Sequence, residues 1–187
     1  MGRYSLIQHS NPSLYSMKIF PLIALTAALV SLPAYAQAQP NDAQIAAIVV
    51  TANQVDIDAG KLVEAKSADA KVKDFAHRMI TDHSAINQSA VELVTKLKVT
   101  PEANDTSKSL QEGGDKNLTQ LRTLSGRALD KAYVDHEVAY HEQVIAALDT
   151  VLIPNAQNAE LKALLIKVRP GFIAHLGHAK MLQETYK

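Results

Sequence analysis

The chain has 187 residues, with 19 Lys plus Arg against 19 Asp plus Glu and no cysteine. The missing cysteine excludes a disulfide framework, a thiol nucleophile, a cysteine-ligated metal and a lipoprotein attachment site. A formal charge of zero, without a basic patch or stripe, excludes a nucleic-acid footprint.

The first element in chain order is a leader. The segment MKIFPLIALTAALVSLPAYAQAQP carries Lys18, an apolar run from Ile19 to about Leu32, and small residues in AYA and AQA. That is the layout of a secretory signal peptide, with cleavage expected after Ala36 or Ala38. Residues 1–16 add only Arg3 as charge upstream of a signal complete from Met17, so Met17 is the expected start. The apolar run, about fourteen residues long, is shorter than the roughly twenty that a spanning helix needs. Residues 1–38 are therefore read as leader and 39–187 as one domain, periplasmic or secreted in a Gram-negative envelope. Without Arg3 and Lys18 the domain has 17 basic and 19 acidic residues, a net charge of −2. About 150 residues suffice for one domain with a hydrophobic core. No later stretch is apolar enough to be a transmembrane segment.

Helical periodicity dominates the rest. Ile45, Ile48, Val49, Ala52, Val55, Ala59, Leu62 and Val63 recur at spacings of three and four, which predicts an amphipathic helix capped by Asn41 or Asp42. Ser67 is the expected cap of a second helix whose stripe runs Val72, Phe75, Ala76, Met79, Ile80, His83, Ile86, Ala90, Leu93, Val94 and Leu97, ending before Pro101. The stretch KVTPEANDTSKSLQEGGDKN reads as a loop, with at most a short helix around Leu118 to Leu124. A third long helix is predicted from about Arg127 to Leu152, closed by Pro154. The last runs from about Asn158 to Tyr186, with Pro170-Gly171 as an expected kink. No period-two strand pattern occurs, so a β-barrel is excluded. The fold class is all-α: a ferritin-like four-helix bundle with a long loop or short extra helix between the second and third long helices.

Histidines interrupt these oily stripes. His83 shares a row with Val72, Ala76 and Met79; His141 continues Val134, Val138, Ile145 and Leu148; His175 continues Leu161, Leu164, Val168 and Phe172. Each lies near the middle of its helix, level with Asp56 and Asp58 on the first, Asp56 being in the row of Val49, Ala52 and Val63. One polar group from each of four helices at mid-bundle is where bundle proteins build metal and cofactor sites. The candidate metal ligands are His83, His141, His175 and Asp56, and imidazole with carboxylate suits iron, zinc, manganese or copper. Asp82, Asp130, Tyr133, Glu137, Tyr140 and His178 are the candidates for a supporting shell. The alternative is a dry polar layer in which Asp56 pairs with His83 and Tyr140 with His141 to set helix register.

Other chemistry finds little support. Asp74 and His77 lie off the apolar stripe as a solvated pair, Glu137 and His141 are four apart rather than three, and His175-x-x-His178 lacks a carboxylate, so the two Glu-x-x-His motifs of a di-iron centre are missing. No Gly-x-Ser-x-Gly elbow or phosphate-binding glycine loop occurs. The reaction, if any, is not specified, and no strongly basic amphipathic face points to a lipid surface.

The blocks VKDFAHRMITDHSAIN, ALDKAYVDHEVAYHEQVI and VRPGFIAHLGHAKML, in this order, resemble a widespread bacterial family of exported proteins. It is classed as domain of unknown function 4142 and often labelled predicted outer membrane protein. The resemblance spans about residues 42 to 187 and implies a ferritin-like fold. It further implies that His83, His141 and His175 are recurrent motif positions, together with Asp130 and Tyr133 of an Asp-x-x-Tyr element. Its first-helix acidic residue, usually glutamate, falls at Asp56. Two classes of function follow: an exported metal-binding bundle for storage, sensing or redox protection, or a non-enzymatic envelope or stress protein that binds an envelope partner and uses its histidines structurally.

Overall fold

The structure is a computed structural model that describes residues 39–187; the expected leader, start at Met17 and cleavage position lie outside the described residues. Helix α1 (Asp42–Lys66) starts at a reciprocal cap, in which Asn41 Oδ1 accepts from the Gln44 amide at 2.9 Å and Gln44 Oε1 accepts from the Asn41 amide at 3.2 Å. Helix α2 (Ala70–Leu97) is capped by Asp69, not by Ser67. The Asp69 carboxylate reaches the Lys71 amide at 2.9 Å, while Ser67 ends α1 and accepts from the Asp69 amide at 3.1 Å.

The connection after α2 differs most from the sequence reading. In place of a loop it holds a 19-residue helix, α3 (Asp105–Thr123), opened by a reciprocal cap between Asn104 and Ser107. Gly113-Gly114 breaks nothing. A Cβ on Gly114 would stand 2.7 Å from a Val55 methyl, so the missing side chain is what lets α3 lie against α1.

Helix α4 (Gly126–Ala147) does not run on regularly to Leu152. It widens into a π-helical turn at Leu148–Leu152, where the Ile153 amide bonds to the Leu148 carbonyl, and then a single turn α5 (Ile153–Asn155). Pro154 lies in that turn and has no amide to continue the regular ladder. Helix α6 (Ala159–Glu184) is capped by Asn158 and carries Pro170 in its interior.

Helix α1 packs on α2 and α3, α4 on α6, and α2 on α6, which makes an all-α bundle. Its apolar core is in two pieces. One, around Val63, Val72, Phe75, Met79, Leu129 and Tyr133, fills the end where α1 passes to α2. The other, around Ile45, Ile48, Leu148, Leu152, Leu165 and Phe172, fills the opposite end. Between them lies a buried polar layer of Asn53, Asp56, His83, Glu137, His141 and His175, each at most 3 % exposed.

Candidate metal centre

Four helices feed this layer at their midpoints. Antiparallel neighbours of similar length bring midpoints level, and the three-and-four spacing that buries the apolar rows turns these polar side chains inward with them. His83, His141 and His175 form a triangle, with ring centroids 5.7 Å apart for His83 and His141, 5.2 Å for His83 and His175, and 5.5 Å for His141 and His175.

Each ring has one nitrogen secured by the protein. Asn53 donates through Nδ2 to the Val49 carbonyl, so its oxygen is the acceptor for His83 Nδ1 at 2.7 Å. His141 Nδ1 donates to the Glu137 main-chain carbonyl at 2.9 Å. His175 Nε2 donates to the Asp82 carboxylate at 2.8 Å. These bonds assign the tautomers: the protons sit on the secured nitrogens, and the lone pairs are on His83 Nε2, His141 Nε2 and His175 Nδ1. None of those three buried atoms has a hydrogen-bond partner among the described residues. One ring nitrogen from each histidine lies within 4.8 Å of those of the other two.

Asp56 completes the layer. Its Oδ2 is 3.0 Å from His83 Nε2 but out of hydrogen-bond alignment, and 3.6 Å from His141 Nε2, beyond hydrogen-bond reach. A carboxylate oxygen facing two imidazole lone pairs is repulsive, so the arrangement calls for a cation between them, either a proton or a metal ion. Glu137 stands beside it, Oε2 being 3.4 Å from His141 Nδ1, with both carboxylate oxygens unpartnered; one ligand atom each from Asp56, Glu137 and His141 again falls within 4.8 Å. Asp56, already ionised, and Glu137, once a bound cation displaces its proton, would balance a divalent charge held among neutral imidazoles.

The proton affinities follow from this burial. Burial pushes Asp56 up, but the positive charge that the facing His83 carries when protonated, and after it that of His141 and His175, hold its carboxyl below the usual carboxylate range. Glu137 is pushed well above that range by burial and by the Asp56 charge. Burial takes His141 down to about 4 against the pull of Asp56, and it lowers His175 against the pull of Asp82. A neutral imidazole is the form that binds a metal. The pattern of ring nitrogens tied to an amide, a carbonyl and a carboxylate is the outer support by which metal sites orient their histidines. The donor set therefore fits a transition-metal ion.

Not every polar residue expected here belongs. Asp58 points away and accepts from Gln54 at 2.8 Å. Tyr140 does not pair with His141 through its hydroxyl; it donates to the Ala52 carbonyl at 2.9 Å, and its ring stacks on His136. His77 is exposed, as its position off the stripe predicts, but its partner is Glu64 at 2.9 Å rather than Asp74. Asn53, which sets the His83 tautomer, escaped the sequence reading, although it lies one turn before Asp56 on α1.

The sequence pattern of a family described as Domain of unknown function (DUF4142) matches residues 28–182. The chain belongs to this family. No curated protein and no solved structure matches it. Within this DUF4142 chain, the motif histidines His83, His141 and His175 and the first-helix Asp56 meet in one layer. The Asp-x-x-Tyr element divides: the Tyr133 ring packs on Phe75 with centroids 6.0 Å apart, and its buried hydroxyl is unpartnered and held in its protonated form by burial and then by the charges of Glu137 and Asp56. Asp130 is also buried but acts at the far end of the apolar cluster, where it adds to burial and Asp69 in raising Tyr186. His178 leaves the layer altogether and sets its ring edge to face with Phe75, centroids 5.0 Å apart.

Proposed function

We propose that this protein is an exported, periplasmic helical-bundle protein that binds one transition-metal ion through His83, His141, His175 and Asp56. Glu137, giving up its proton as the ion binds, supplies the second negative charge, and Asp82 and Asn53 position the rings. One observation carries the reading: three fully or nearly buried imidazoles, each with one nitrogen secured by the protein, leave three unpartnered nitrogens facing a buried carboxylate. Buried polar atoms without partners are uncommon in folded proteins, and a cluster of them on the donor types of a metal site has a ligand as its simplest explanation. Iron, zinc, manganese and copper all accept this set. The signal-peptide layout supports export.

A second reading has its own observation. The 3.0 Å approach of His83 to Asp56 also suits a protonated imidazolium paired with a carboxylate, a register-setting contact in a non-enzymatic envelope or stress protein. Elemental analysis of untagged protein from its native compartment separates the two. Near-stoichiometric metal in the wild type, lost in His83→Ala at unchanged helix content, is the expected result. Wild-type protein that holds no metal and takes up none of the four ions on titration overturns the metal reading.

A further inference from the structure

Beside the polar layer lies a cavity of about 650 Å³. Its walls come mainly from α1, the start of α3, α4, the π-helical turn and α6, with Ile48, Val144, Leu148, Leu152, Leu165 and Phe172 among the apolar ones. The π-helical turn faces it with Leu148, Val151 and Leu152, so the widened bonding at Leu148–Leu152 shapes this wall; such turns recur at functional sites. Its volume falls in the range that encloses small molecules, and its apolar walls with a few polar groups have the usual make-up of such sites.

Of its polar lining groups, the Asn53 amide and the Tyr140 hydroxyl are buried and bonded within the protein, whereas Gln44 and Asn104 are half-exposed. These last two spend their side-chain oxygens on helix caps, Gln44 Oε1 on the Asn41 amide and Asn104 Oδ1 on the Ser107 amide. What they can present to an occupant is the –NH₂ of each amide, which is a donor. The charges at the rim, Asp105 and Lys108, are of opposite sign and favour neither cations nor anions strongly.

We infer that this cavity is a binding site for an apolar small molecule that carries an oxygen acceptor, seated with its apolar body against Phe172 and its acceptor at Asn104 and Gln44. The inference is independent of metal binding. It does connect to it, because Asn53, Tyr140 and Phe172 belong both to the cavity wall and to the surroundings of the histidines; the Phe172 and His83 ring centroids are 5.2 Å apart.

The test uses 1-anilinonaphthalene-8-sulfonate, an apolar probe with sulfonate oxygens, titrated into the purified protein and followed by fluorescence. Saturable binding at about one probe per chain is expected. Ala147→Trp, which puts an indole into the cavity from its half-buried wall position, should lower the affinity at least tenfold at unchanged helix content. Gln143→Trp, from the exposed edge of the same wall, should do the same and stands in if Ala147→Trp does not fold. Absence of saturable binding to the wild type, or equal binding to a folded cavity-filling variant, overturns the inference.

Discussion

The loss of His83 is the sharpest perturbation, because it acts on the protein with metal and without it in different ways. In the wild type, His83 Nδ1 satisfies Asn53 and Nε2 faces Asp56. His83→Ala orphans the Asn53 oxygen and leaves Asp56 without its nearest neighbour, at about 1–3 kcal/mol for an unsatisfied buried group. The metal-free variant should therefore melt below the metal-free wild type by several degrees. Metal adds a second, separable quantity. A ligand that binds only the folded state at a concentration about 100-fold above its Kd stabilises it by about 2.7 kcal/mol. For a domain of this size each kcal/mol is about 2–4 °C, so wild-type protein should gain about 5–11 °C with zinc in that excess. The variant should gain close to nothing. Thermal unfolding by circular dichroism, with zinc and with chelator, reads both numbers. If His83→Ala keeps the full zinc-induced gain, the ligand assignment is wrong; if the wild type shows none, the three unpartnered nitrogens have another purpose.

Three more outcomes follow from individual contacts. Asp82→Asn keeps the shape but removes the carboxylate that orients His175; metal affinity should fall about 10–100-fold, with a metal-free melting change under about 0.5 kcal/mol, measured by competition with a chromophoric chelator and by thermal unfolding. Gly114→Ala gains helix propensity but drives a methyl against Val55 where a Cβ stands 2.7 Å away; a net loss of about 1–2 kcal/mol in urea unfolding is expected, and a more stable variant would disprove the tight α1–α3 contact. Asp69 is pushed up by partial burial, but the Tyr186 hydroxyl and then the Lys71 and Val72 amides outweigh this and hold it below the usual carboxylate range. Its stabilising share is therefore complete above the unfolded-state pKa of about 4 and is lost as pH falls through the lower folded value. Asp69→Asn keeps a cap yet should flatten the stability profile as pH falls below the unfolded-state value of about 4, read by urea unfolding at descending pH; an unchanged slope would refute this.

The three-and-four spacing of apolar residues determined the helices, because a single period of 3.6 carries both the backbone conformation and the buried face. It also placed His83, His141, His175 and Asp56 inward at mid-helix, and similar helix lengths made their meeting predictable from the chain alone. Helix caps were less legible: Ser67 and Asp69 both have cap chemistry, and the turn geometry chose Asp69. Helix α3 was hidden by its own composition, since Gly113-Gly114 reads as a break until Val55 is seen pressed against Gly114. Tertiary structure alone assigned the tautomers, because the partners of the three rings are an amide on α1, a carbonyl on α4 and a half-exposed carboxylate on α2. It alone showed that Tyr140 turns to Ala52, that Asp130 belongs to the far end, and that an apolar cavity adjoins the histidines. These depend on distances between helices, which no periodicity along one helix encodes.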